Sequence, residues 1–204
     1  AREEGLGLAQ EDAASSQITW GTPADFPPDG YPIVGFAPAC TLSQLGDPAF
    51  CADHNLKFPY MTGAMANGIA SVELVIAAAQ AGLLGSFGAA GLRLAQISQA
   101  LDRLEATLGI LPFCMNLIHT PQEPAHEMAV VDLYLQRGVK LVEAAAYLGL
   151  TLPAVRYRVH GIYRDAQGRI ITPQRMIAKV SRQEVAAKWF SPPPAEFLDQ
   201  LVAS

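Results

Sequence analysis

Metal-binding cysteine is the first thing this sequence lacks. It holds three cysteines, Cys40, Cys51 and Cys114, with none of the paired spacings that build zinc or iron–sulfur sites. No metal is therefore expected. An odd count fits reduced thiols in a cytoplasmic protein rather than a disulfide framework. The sequence also has no unbroken apolar run of membrane-spanning length and no signal peptide, so no membrane association is expected. Charge is sparse, at 16% of 204 residues, while half the residues are hydrophobic. That balance excludes disorder and points to a buried α/β interior. A formal net charge of −5 offers no overall case for nucleic acid.

The charge that is present is uneven. Residues 1–58 carry eight acids against Arg2 and Lys57. Residues 151–190 carry eight bases, among them Arg156, Arg158, Arg164, Arg169 and Arg175, against Asp165 and Glu184. Such a basic region is either a solvated face or a surface for an acidic partner or phosphate. Residues 1–16 are small, polar and acidic and read as a frayed end. From Thr19 to Pro38 prolines and glycines rule out long regular elements, apart from a short strand at Ile33–Phe36. Asp47 to His54 reads as a helical turn. Residues 1–58 are thus an irregular amino-terminal cap.

The rest alternates strand and helix. Pro59 to Ala70 (PYMTGAMANGIA) reads as a strand that runs into a bare backbone platform of glycine and small residues, where a flat ligand can approach. A ligand-free tight turn is the alternative. Helix signals follow from Ser71, an N-cap residue, to Ala81. A second strand, Leu83–Phe87, meets Gly88-Ala89-Ala90-Gly91. Leucine and isoleucine at helical spacing mark a helix over 93–108. A third strand spans Phe113–Ile118, and a helix Pro124–Gln136. A fourth strand covers Val139–Ala144 and a short helix runs from Thr151 to Val159. A hairpin turns at Asp165–Gly168. A fifth strand covers Arg175–Val180, then a helix capped by Ser181, and a last helix after Pro192-Pro193-Pro194.

Five successive βα units imply parallel strands, in either a doubly wound sheet or a (β/α)8 barrel. The segment Gly63–Gly68 has the wrong spacing for a dinucleotide fingerprint, and glycines follow both the first and second strands. This favours a TIM barrel, of which about the first five of eight units are present in residues 59–204. The expectation is that the remainder lies in a missing carboxyl-terminal half or in a second chain.

The stretches DPAFCADHNLKFPYMTGAMANGIAS, NLIHTPQEPA and SPPP carry a resemblance. From Asp47 to Pro194 the sequence is similar to the trans-acting enoyl reductases of polyunsaturated-fatty-acid and polyketide synthases. These in turn resemble nitronate monooxygenases and flavin-dependent enoyl-carrier-protein reductases. The resemblance implies FMN at the carboxyl ends of the barrel strands, NADPH as electron donor, and an enoyl thioester on an acyl carrier protein as substrate. It implies that Gly63, Ala64 and Met65 lie against the flavin ring. Asn116 would be a polar residue near it, and Lys179 a cation aimed into the same site, with a catalytic role in stabilising reduced flavin. Each has a plainer reading: Lys179 as a strand-end lysine reaching solvent, Asn116 serving the barrel backbone, Met65 as packing. His119 is a candidate acid by its place at a strand end. The related enzymes, however, carry their characteristic histidine in a Gly-Gly-His segment that this sequence lacks. Glu143, inside the fourth strand, is a candidate for orienting substrate. Arg156 and Arg158 are candidates for docking an acidic carrier protein. Two other functions fit: a nitronate monooxygenase on the same flavin platform, and a non-catalytic docking half that needs a partner chain.

Overall fold

The computed structural model describes residues 5–10, 16–21, 33–37 and 40–203. The chain divides into two compact units, at Pro59 and Tyr60.

In the first unit, β1 (Gly5–Gln10), β2 (Ser16–Gly21) and β3 (Ile33–Ala37) form an antiparallel sheet in the order β2-β1-β3. The β1–β3 register shifts between Leu8 and Ala9. The expected frayed end is thus corrected: Gly5–Gln10 and Ser16–Gly21 pair along their full lengths. Ile18, Thr19 and Trp20 are strand formers, a signal outweighed in the sequence by the prolines downstream. A single 3-10 turn at Leu42–Gln44 precedes helix α1 (Pro48–His54). The Asp47 carboxylate accepts from the Ala49 N–H at 2.8 Å, with Pro48 in the first turn.

The second unit contains β4 (Met61–Thr62), α2 (Val72–Gln80), β5 (Leu84–Phe87), α3 (Leu94–Leu108), β6 (Phe113–Ile118), α4 (Pro124–Gln136) and β7 (Leu141–Ala145). It continues with α5 (Leu152–Val159), a hairpin of β8 (Tyr163–Arg164) and β9 (Ile170–Ile171), β10 (Arg175–Ala178), α6 (Gln183–Phe190) and α7 (Ala195–Ala203). Helix boundaries fall where caps predict them. The Ser71 hydroxyl accepts from the Leu74 N–H, and the Thr151 hydroxyl from the Ala154 N–H. The expected Ser181 cap is corrected: α6 starts one residue later, after Arg182, with no side-chain cap. The hairpin turns where expected, with the Asp165 carboxylate accepting from the N–H groups of Gln167 and Arg169.

The five parallel strands lie in the order β10-β7-β6-β5-β4, each beside its neighbour in sequence. A doubly wound sheet reverses its strand order at a switch point. This order never reverses. The sheet is also curled. β4 and β7 are three strand spacings apart, about 14 Å in a flat sheet. Yet the Glu143 carboxylate on β7 accepts from the Ala64 N–H, just past β4, at 2.9 Å. Only a sheet rolled toward closure brings them together.

Alternation along the strands sorts the two faces. Phe87, Met115, Leu117, Val142 and Ala144 pack outward against the helices, with Ile97, Leu101 and Leu104 of α3 and Val131 and Tyr134 of α4. Gly85 permits this approach, because a Cβ there would lie 2.7 Å from the Val75 Cα. Asn116 and Glu143, register partners on β6 and β7, fall on the inner face. The Tyr134 hydroxyl donates to the Asn116 carbonyl at 2.7 Å and ties α4 to that strand. Burial pushes this phenol well above its ordinary range, so it stays a donor. Tyr134→Phe is expected to cost about 1 kcal/mol in urea unfolding, the net worth of one hydrogen bond. A cost of zero would show that the bond is not holding α4 to β6.

Candidate functional site

The loop after β4 and the loop after β5 are locked together. Asn67 donates to the Ala90 carbonyl at 2.7 Å, Gly68 to the Gly88 carbonyl at 2.9 Å, and Gly88 to the Ala70 carbonyl at 3.0 Å. The Met65 carbonyl presses on the face of Gly88, where a Cβ would stand 1.7 Å from its oxygen. Met65 itself remains part-exposed. This interlock shortens β4 to two residues and fixes Gly63, Ala64 and Met65 as a shelf at the carboxyl ends of the strands.

Glu143 organises the inner face beneath that shelf. Its side chain is 1% exposed. One carboxylate oxygen accepts from the Ala64 N–H at 2.9 Å, and the other pairs with Lys179 Nζ at 2.6 Å. Its backbone carbonyl accepts from Asn116 Nδ2 at 3.1 Å. Lys179 lies one residue past β10, and its N–H continues the ladder to the Ala144 carbonyl at 2.9 Å. Its side chain is 51% exposed, so the ammonium sits between the buried carboxylate and open space. The structure thus gathers Ala64, Asn116, Glu143 and Lys179 on the inner face, with Gly63 and Met65 beside them. Cys114, also on the inner face, is fully buried, and burial pushes its thiol far up, leaving it inert.

A second cluster stands at the same end of the sheet. Glu127 is buried on α4 and takes four donors: His119 Nδ1 at 3.0 Å, the Thr120 N–H at 3.0 Å, the Tyr147 hydroxyl at 3.1 Å and the Thr151 hydroxyl at 2.7 Å. It joins the loop after β6 to the loop after β7. His119 stacks on Tyr147, ring centroids 5.2 Å apart, and Tyr147 meets Trp189 edge-on. Burial, then the Glu127 charge, pushes the Tyr147 phenol far up, so it remains a donor. Sequence reasoning missed Glu127. The signal was there: Glu127, Val130, Val131 and Tyr134 share one helical stripe, and all four are buried. A cleft of about 620 Å³ opens beside the cluster, walled by Ala89–Ala95, Ile97, Asn116, Thr120, His126 and Val130.

Arg156 and Arg158 are not brought to this end. α5 leaves the carboxyl end of β7 and returns the chain to the amino end, where the hairpin sits before β10 enters the sheet. Arg156 pairs with Asp132 of α4 at 2.6 Å, and Arg158 donates to the Gln174 carbonyl at 2.8 Å. Burial, then the nearby Arg175, lowers the Arg158 pKa from its ordinary value. Both guanidiniums are engaged within the chain. Among the described residues no cluster of metal-ligating side chains is present, and no helix is long and apolar enough to cross a membrane.

No protein-family profile matches the chain. Individual proteins do. A polyunsaturated fatty acid synthase component of Thraustochytrium sp. (strain ATCC 26185 / S-3) is 46% identical over 165 residues, covering 81% of this chain. The polyketide biosynthesis protein PksE of Bacillus subtilis (strain 168) is 38% identical over 163 residues, covering 79%. Among solved structures, the enoyl reductase domain of MlnA, from the macrolactin biosynthesis cluster of Bacillus amyloliquefaciens, matches 80% of the chain at 40% identity with a TM-score of 0.76. Over these residues the chain is similar to components of polyunsaturated fatty acid and polyketide synthesis and to the MlnA enoyl reductase domain. FabK from Thermotoga maritima, at 18% identity and TM-score 0.50 over 68% of the chain, shares the fold. That fold is a partial TIM barrel, and the curl and strand order of β4 to β10 are its first five strands. The chain spans 11% and 21% of the length of the two curated relatives and 37% of the MlnA domain.

Proposed function

We propose that this chain is the first part of an FMN-dependent enoyl reductase that acts in trans on acyl-carrier-protein thioesters with NADPH as donor. In this reading residues 59–204 are the start of the flavin-binding barrel, completed by further polypeptide, and residues 1–58 are a separate amino-terminal lobe. The supporting observation is the meeting of Ala64, Asn116, Glu143 and Lys179 at the strand ends, where barrels of this kind carry their chemistry. The residues fit the ring end of a flavin: a shelf of small residues with backbone at its surface, a buried amide, and a half-exposed cation. Bound flavin would accept a hydride from NADPH and deliver it to the β-carbon of the unsaturated thioester.

The chain's own residues then divide the work. Gly63, Ala64 and Met65, fixed by the interlock with Gly88, would support the flavin ring. Asn116, fixed by Glu143 and Tyr134 through the β6 backbone, offers its amide. Lys179 supplies positive charge where electrons accumulate. His119, with Nδ1 committed to Glu127, is left with Nε2 as its available nitrogen, and it remains a candidate acid. Arg156 and Arg158, each engaged within the chain, remain the candidates for docking an acidic carrier protein.

The test is NADPH oxidation at 340 nm with a crotonyl thioester on a carrier protein, using the full-length protein. Lys179→Met is expected to lower turnover by about 100-fold, the scale of losing one preorganised charge partner. Oxygen consumption with nitroalkanes, and no thioester-dependent oxidation, would overturn the reading in favour of a nitronate monooxygenase. Carrier binding with no oxidation of either kind would favour a docking half.

A further inference from the structure

We propose that Glu143 sets the charge that a ligand meets at this site, by neutralising Lys179 and holding the Ala64 N–H to itself. The inference rests on the flavin reading above and adds a positioning residue to it. A carboxylate 1% exposed cannot stand alone, because burial of an uncompensated charge is costly. Glu143 meets that cost with one cation, Lys179, and one N–H, Ala64, from opposite ends of the five-stranded sheet. The Ala64 N–H belongs to the shelf itself, and the Lys179 ammonium meets the same carboxylate. The pair carries no net charge, so the site receives a ligand with its positive charge already balanced. An ammonium has three protons, and the half-exposed Lys179 spends one direction on Glu143, leaving others for a ligand edge.

The sign of the effect follows. Reduced flavin is anionic and oxidised flavin neutral. Glu143→Gln keeps the shape and an oxygen for Ala64 but removes the negative charge, so Lys179 stands unbalanced. The reduced form is then favoured, and the ratio of reduced to oxidised affinity is expected to rise about tenfold, about 30 mV for a two-electron couple. Lys179→Met leaves the carboxylate unbalanced and shifts the ratio the other way. The double variant Glu143→Gln with Lys179→Met restores neutrality and lies near the wild type.

The experiment measures the FMN midpoint potential of these four proteins in full-length form, by redox titration against a reference dye. A second readout needs no flavin. In urea unfolding, Lys179→Met should raise the unfolding constant at least about tenfold more in the wild-type background than in the Glu143→Gln background. FMN bound by all four with one shared potential overturns the proposal and leaves the flavin reading standing. No FMN on the wild type overturns the flavin reading, and this proposal with it. Additive unfolding effects show that Glu143 does not hold Lys179 and overturn the proposal independently of flavin.

Discussion

Glu127→Ala is expected to lower the unfolding free energy by about 4 kcal/mol. The carboxylate is buried and accepts from His119, Thr120, Tyr147 and Thr151. Alanine removes all four acceptor contacts at once, and the donors buried behind the carboxylate lose their partner. Each buried donor left without a partner costs about 1–3 kcal/mol. His119 is 27% exposed and recovers water, and hydroxyls can rotate, so the total falls below the sum. A domain of this size is stable by only about 5–15 kcal/mol, so a loss of this size takes at least about a quarter of the margin. Glu127→Gln tests the cause. Its amide still accepts at one oxygen but presents N–H groups to two of the donors, so it should cost about half as much. Urea unfolding gives both numbers, and hydrogen exchange at residues 119–120 and 146–151 should rise first. A loss below about 1 kcal/mol for alanine would show that the four bonds do not hold the two loops together.

The same residue shows where the sequence was legible and where it was not. Periodicity located α3 and α4 to within a residue, because Leu101, Leu104 and Leu108, or Val130, Val131 and Tyr134, can only be buried together on one helical face. Ser71 and Thr151 announced their helices, because a hydroxyl at an N-cap satisfies a local donor and needs nothing from the rest of the chain. What local pattern does not encode is the partner. The bonds from Glu143 to Ala64 and from Glu127 to Tyr147 span 79 and 20 residues. The first exists because the sheet curls and the second because β6 pairs with β7, and no window of ten residues contains either. Glu143 was legible as an acid inside a strand but not as the group that joins β4 to β10. β1 and β2 went unread for a related reason. Their pairing is between segments, and Gly5–Gln10 gains its order from β2 and β3 on either side.

Gly88→Ala is the second large effect, again about 4 kcal/mol, and its origin is steric. A Cβ at Gly88 would stand 1.7 Å from the Met65 oxygen and 2.7 Å from its carbonyl carbon. Both are backbone atoms, so no rotamer change relieves the overlap, and the 63–70 loop has to move. Overpacking of a core typically costs about 1–3 kcal/mol when side chains can yield, and more when they cannot. The displacement also strains the bonds from Gly68 to Gly88, from Gly88 to Ala70 and from Ala70 to the Met65 carbonyl, about 1 kcal/mol each where lost. Gly138→Ala is the control. It has φ of +68° and nothing within 4 Å of an added Cβ, so only backbone strain of about 1–2 kcal/mol applies. If Gly88→Ala loses no more than Gly138→Ala, the 63–70 loop yields to the added methyl and the interlock is not rigid. If Gly88→Ala loses at least twice as much, the shelf is held in place by the loop behind it. Ala64 then shifts away from Glu143 in the variant, and whatever the inner face binds should weaken with it.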